Sequence, residues 1–142
     1  MPCKILLPVD GSEGSLRAAR HVASIATQIK NLEVHLANIQ PAGDDWMTRR
    51  SFKAEELAGM EAEWAEDVLA PAREILRAAG ITPIPHTRQG DIAPMVARLA
   101  EELGCDQIVM GTRGLSTLGD LLMGSVATKV LHLATVPVTF VK

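Results

Sequence analysis

Short apolar runs alternate with longer amphipathic segments along the whole chain, and this alternation most restricts what it can fold into. Cys3-Lys-Ile-Leu-Leu-Pro-Val9 has strand length and is closed by the turn pair Asp10-Gly11. Ser12 is a natural N-cap, and Leu16, Ala19, Val22, Ala23, Ile25 and Ala26 then recur at helical spacing to about residue 30. A second β-branched and apolar run covers 32–39, before Pro41. Residues 40–52 are polar and irregular, so a loop is predicted; a lid over a ligand and a plain spacer both fit it. A long helix is predicted over 53–79, kinked or split at Pro71 and stopped by Gly80. Residues 82–88 read as a third strand. Asp91 starts a helix that runs to about Leu103 and stops at Gly104. Residues 106–111 read as the fourth strand, 125–134 as a helix, and 136–141 as the last strand.

Strands alternating with helices imply an α/β domain spanning 1–142, with a five-stranded, doubly wound parallel sheet covered by helices on both faces. The composition, 47% hydrophobic and 22% charged, suits an ordinary core. A formal net charge of −3 argues against binding to nucleic acid or an anionic membrane surface. With only two Trp and two Phe and no Tyr, a stacking platform for a nucleic-acid strand is not expected. Two cysteines are too few for a disulfide framework. No apolar run reaches membrane-spanning length and no signal-peptide pattern opens the chain, so the cytoplasm is the expected compartment.

In open parallel sheets, ligands bind beyond the C-terminal ends of the strands, where the strand order reverses. The usual orders put the first strand beside either the third or the fourth. In the second case Pro8-Val9-Asp10 and Met110-Gly111 face one crevice. The residues after the fourth strand suit an anion: Gly111-Thr-Arg-Gly114, nine residues, then Gly124-Ser125 before a helix. Glycines let backbone N–H groups approach a phosphate, and the helix end adds positive partial charge. Ser125 is the expected N-cap. Residues 119–125 have the glycine spacing of a P-loop but lack its lysine, and no Gly-x-Gly-x-x-Gly follows the first strand.

These segments resemble the universal stress protein family over essentially the full chain. Leu7-Pro-Val-Asp-Gly-Ser12 is similar to its opening strand and turn. Val109-Met-Gly-Thr-Arg-Gly-Leu115 and Gly124-Ser-Val-Ala-Thr-Lys-Val130 are similar to the glycine loop and helix of its ATP-binding branch, and Val136-Pro-Val-Thr-Phe-Val141 to its closing strand. The resemblance implies the strand order 3-2-1-4-5 and a homodimer paired through 136–141. It implies an adenine nucleotide, ATP or else AMP or ADP, with Mg²⁺ carried by the phosphates. Pro8, Val9 and Asp10 would then lie by ribose and adenine, Ile39 by adenine, and Met110 and Gly111 by the sugar. Gly114, Gly124, Ser125 and Val126 would hold phosphates. Arg113 stands where many members have histidine, and Ala127 where some have a hydroxyl.

No nucleophile–base pair and no metal-ligand cluster is visible around the four histidines. The expected role is therefore a nucleotide-dependent sensor or adaptor with slow or no hydrolysis and an unidentified protein partner. The alternative is a partner-binding dimeric module with a vestigial site. Met60 and Trp64, four residues apart, are expected in the core. Cys3 and Cys105 are expected as small buried residues at the sheet end away from the site.

Overall fold

A computed structural model describes residues 1–41, 53–114 and 123–142. The strands are β1 (Cys3–Pro8), β2 (Leu32–Gln40), β3 (Ile84–Gln89), β4 (Gln107–Gly111) and β5 (Val138–Val141). The helices are α1 (Glu13–Ile25), α2 (Ala54–Ala78), α3 (Ile92–Glu102) and α4 (Ser125–Leu133). The strands form one parallel sheet in the order β3-β2-β1-β4-β5.

The apolar runs at the sheet centre are buried on both faces, as parallel strands require. Ile5, Leu7, Val34, Leu36 and Val109 pack under α1 and α2 with Ala18, Val22, Leu69 and Leu76. Leu6, Ala37, Ile39, Ile108 and Met110 pack on the other face with Val96 and Leu99 of α3 and Val130 of α4. Alternate side chains of one strand therefore anchor helices on opposite faces, which leaves the strand ends between two helical layers.

Some boundaries differ from the sequence reading. The first helix ends at Ile25 and continues only as a 3₁₀ turn, Ala26–Gln28. Gln40 belongs to β2, because its carbonyl accepts from Gly90 N at 2.9 Å and extends the ladder. The third strand begins at Ile84, two residues late, where its register with β2 starts opposite His35, and as an edge strand it carries Pro85 within it. Helix α2 is not split at Pro71. The ring sits on the exposed side, where a displaced carbonyl can turn to water, while Ala65, Leu69, Ala72 and Leu76 hold the other side in the core.

Candidate functional site

The C-terminal ends of β1, β2 and β4 open onto a cavity of about 310 Å³. It lies where β1 sends one connection toward β2 and β4 takes the other side, the switch point of the sheet. The twelve residues singled out in the sequence all line it. Pro8, Val9 and Asp10 come from β1 and its turn, Ile39 from β2, and Met110 and Gly111 from β4. Arg113 and Gly114 follow β4, and Gly124, Ser125, Val126 and Ala127 start α4. Ser15, Asn38, Gln40, Pro41, Trp64, Val68, Ile92 and Val96 also line it and were not foreseen.

The β1–α1 turn is held by a closed set of hydrogen bonds. Asp10 Oδ1 accepts from Ser12 N at 2.9 Å and from Ser15 Oγ at 2.6 Å. Ser12 Oγ accepts from Ser15 N at 3.2 Å, which makes Ser12 the N-cap, as its residue type predicts. Ser15 Oγ in turn accepts from Asp10 N at 3.0 Å. The second carboxylate oxygen, Oδ2, points toward the glycine segment: a Cβ on Gly114 would lie 2.5 Å from it.

The end of β4 packs backbone to backbone on the start of α1. A Cβ on Gly111 would stand 2.7 Å from the Gly14 carbonyl oxygen, and a Cβ on Gly14 would collide with the carbonyl of Arg113. Only side-chain-free residues allow this approach. It brings the segment after β4 alongside the α1 turn and shapes the cavity mouth.

At α4 the N-cap is Gly124, not Ser125 as expected. Gly124 N donates to Thr112 O at 2.6 Å, and its carbonyl accepts from Thr128 N at 3.0 Å and Thr128 Oγ1 at 2.9 Å. These bonds fix Gly124 as the residue outside the helix and move Ser125 to its first turn. Among the described residues no side chain caps this terminus. The opening N–H groups of α4 are thus presented beside the cavity with helix-dipole charge behind them.

The other end of the cavity is apolar and anchored by buried amides. Asn38 Nδ2 donates to Val9 O at 3.0 Å. Gln40 Nε2 donates to Asn38 Oδ1 at 3.3 Å and to Glu61 O at 3.1 Å, tying α2 to the end of β2. Trp64 and Val68 of α2 and Ile92 and Val96 of α3 line the cavity from the two helical layers. The burial expected for Met60 and Trp64 is wrong: they are 51% and 54% exposed. The buried stripe of α2 runs through Ala65, Leu69, Ala72 and Leu76, and Met60 and Trp64 lie beside it. Among the described residues that line the cavity, Asp10 is the one carboxylate and none is a histidine.

Other groups lie elsewhere. Cys3 and Cys105 are free thiols at the N-terminal side of the sheet, and burial pushes the Cys105 thiol up to about 11. His35 Nδ1 and His86 Nε2 are 2.8 Å apart across β2 and β3. Desolvation, then the charge of His35 and of Arg88, holds His86 below the ordinary histidine range. This pair is 51 positions apart in sequence, and only the β2–β3 register brings it together. The middle of the glycine loop, 115–122, and residues 42–52 of the loop predicted over 40–52 lie outside the described residues.

A sequence model of the universal stress protein family matches residues 1–142. The chain belongs to the universal stress protein family. A universal stress protein of Thermus aquaticus is 33% identical, over 97% of this chain and 97% of that protein. The solved structure of MJ0577, the subject of a structure-based assignment of biochemical function, superposes with a TM-score of 0.83 at 30% identity, covering 100% of this chain and 96% of the other. A universal stress protein from Archaeoglobus fulgidus, solved in complex with dAMP, superposes with a TM-score of 0.69 at 25% identity, covering 100% and 98%. The parallel order 3-2-1-4-5 expected from the resemblance is the order observed. No helix among the described residues is long and apolar enough to cross a membrane.

Proposed function

We propose that this family member binds an adenine nucleotide, ATP in the first instance, and acts as a nucleotide-dependent stress-response sensor or adaptor. One observation carries the reading: a single cavity joins an apolar slot at one end to the N-terminus of α4 at the other, which no side chain caps among the described residues. A mononucleotide has the same polarity along its length. The cavity's volume of about 310 Å³ falls within the usual range for small-molecule sites. The base would enter between α2 and α3 near Ile39, and the sugar would lie by Pro8, Asp10, Met110 and Gly111. The phosphates would meet Gly114, Gly124 and the N–H groups of Ser125, Val126 and Ala127, with Mg²⁺ on the phosphate oxygens and Arg113 at the rim. AMP and ADP use the same groups with fewer phosphate contacts. The dAMP complex of the Archaeoglobus relative supports an adenine nucleotide in this fold.

Binding groups outnumber catalytic ones. The Asp10 oxygen Oδ1 is engaged by Ser12 and Ser15, so Oδ2 alone faces the glycine segment, and among the described residues lining the cavity there is no second carboxylate or histidine to work with it. Turnover is expected below about 1 s⁻¹, the lower range for dedicated phosphoryl-transfer enzymes. The half-buried edge strand β5 is the surface through which two copies would pair as a homodimer in the cytoplasm. A protein partner would read the nucleotide state.

The test is a thermal-unfolding scan with and without Mg-ATP, on the natural chain and on Gly124→Val. Ligand at 100 times its Kd stabilises a fold by about 2.7 kcal/mol, which here raises the midpoint by roughly 5–10 °C. The shift is expected in the natural chain and absent from a folded Gly124→Val variant. No shift at millimolar Mg-ATP, in protein freed of co-purified nucleotide, replaces this reading with a partner-binding module.

A further inference from the structure

Helix α2 brings to the cavity one large aromatic side chain that the glycine motif does not explain. Trp64 lines the cavity although half its surface faces solvent. Its position is fixed from both sides. About one turn earlier, the Glu61 carbonyl accepts from Gln40 Nε2, docking the helix on the end of β2. About one turn later, the Val68 side chain covers the β1–α1 turn, 3.8 Å from where a Cβ on Gly11 would stand. Trp64 is therefore held on the rim between the end of β2 and that turn. β1 separates this rim from β4 and the N-terminus of α4.

The core does not use this indole. The buried stripe of α2 is made of alanines and leucines, and among the described residues no aromatic ring packs in either core cluster around the central strands except Phe140, partly buried on β5. A flat apolar ring beside an apolar slot is the surface on which a nucleobase stacks. We propose that Trp64 is the stacking wall for the base, an inference that rests on the nucleotide reading of the cavity. The Gln40–Glu61 bond docks the helix that carries the indole before ligand arrives, so the backbone of the wall needs no ordering on binding. Stacking uses the π-face that every base has, so Trp64 supplies affinity and leaves base choice to groups at the base edge.

The experiment is calorimetric titration of Mg-ATP into the natural chain, Trp64→Ala, Trp64→Phe and Trp64→Leu, each checked for fold by circular dichroism. Loss of one base–aromatic stack weakens binding by roughly 5- to 150-fold, so that is the expected loss for Trp64→Ala. Trp64→Phe is expected to recover most of it, and Trp64→Leu, equally apolar but not flat, to recover little. The chain's other tryptophan is Trp46, and in a Trp46→Phe background Mg-ATP is expected to quench the remaining emission from Trp64. If the natural chain binds and Trp64→Ala stays within twofold, the stacking role is overturned and the nucleotide site stands. Equal recovery by Leu and Phe also overturns stacking, because apolar cover alone then suffices. If the natural chain does not bind Mg-ATP, both the wall and the site fall.

Discussion

Two helices begin at the mouth of the same cavity, and they end their backbones in opposite ways. Helix α1 is closed on itself: Ser12 caps it, and Asp10 Oδ1 accepts from Ser12 N and Ser15 Oγ. Helix α4 starts at a glycine, and among the described residues no side chain caps it. Both follow central strands of one sheet, so position does not distinguish them. What differs is whether the chain satisfies its own donors. The terminus that keeps its hydrogen bonds inside the protein can brace the site, and the terminus that does not can take an outside anion.

The largest effect on stability is expected where the two termini touch. Gly111→Ala places a methyl 2.7 Å from the Gly14 carbonyl oxygen, and backbone on both sides cannot swing away. Overpacking of this kind costs about 1–3 kcal/mol. A midpoint lowered by roughly 4–12 °C is the expected reading in a thermal scan. A midpoint within 1 °C of the natural chain would mean that the close approach of β4 to α1 does not shape the mouth.

A smaller effect tests the bracing helix. Ser12→Ala removes the acceptor for Ser15 N at a buried cap, a loss of about 1 kcal/mol. The expected result is a lower unfolding midpoint with the Kd for Mg-ATP unchanged within about twofold. A Kd that moves more than the stability would show that the α1 terminus also holds the ligand, and the contrast between the two helices would be lost.

Much of this contrast is legible in the sequence, and its limits have physical causes. The alternation of apolar runs and amphipathic segments shows that strands are central and helices cover both faces, because only strands buried on both sides read that way. The strand order came from family resemblance, since local spacing left two orders open. The glycines at 111, 114 and 124 mark where backbone must come close, and all three line the cavity. Side chains that reach the site through tertiary packing are less visible. Asn38 and Gln40 read as ordinary polar residues at a strand end, yet their amides join β1, β2 and α2. Trp64 pairs with Met60 at helical spacing, which looks like core. The stripe Ala65, Leu69, Ala72, Leu76 was the signal that the two lie beside the buried face. Ser125 before a helix looks like a cap, but the Gly124 bonds to Thr112 and Thr128 shift the boundary by one residue.

The smallest effect on stability is also the sharpest test of the comparison. Gly124→Ser gives α4 the kind of cap that α1 already has. The site tolerates it: φ is −71° and ψ 170°, ordinary for a capping serine, and the nearest atom to a new Cβ is Thr112 O at an unstrained 3.5 Å. The new hydroxyl accepts from N–H groups in the first turn. Exchanging glycine for serine at a cap is worth only a few tenths of a kcal/mol, so the unfolding midpoint of the free protein is expected to rise by about 1 °C. The same hydroxyl competes with phosphate for those donors. Losing one hydrogen bond to a charged group costs about 1.5–3 kcal/mol, so the Kd for Mg-ATP is expected to rise by roughly 10- to 150-fold. Stability and affinity thus move in opposite directions, which a general packing defect would not produce. A stabilised variant that binds Mg-ATP as well as the natural chain would remove the phosphates from the α4 terminus and leave the glycine there as a turn residue only.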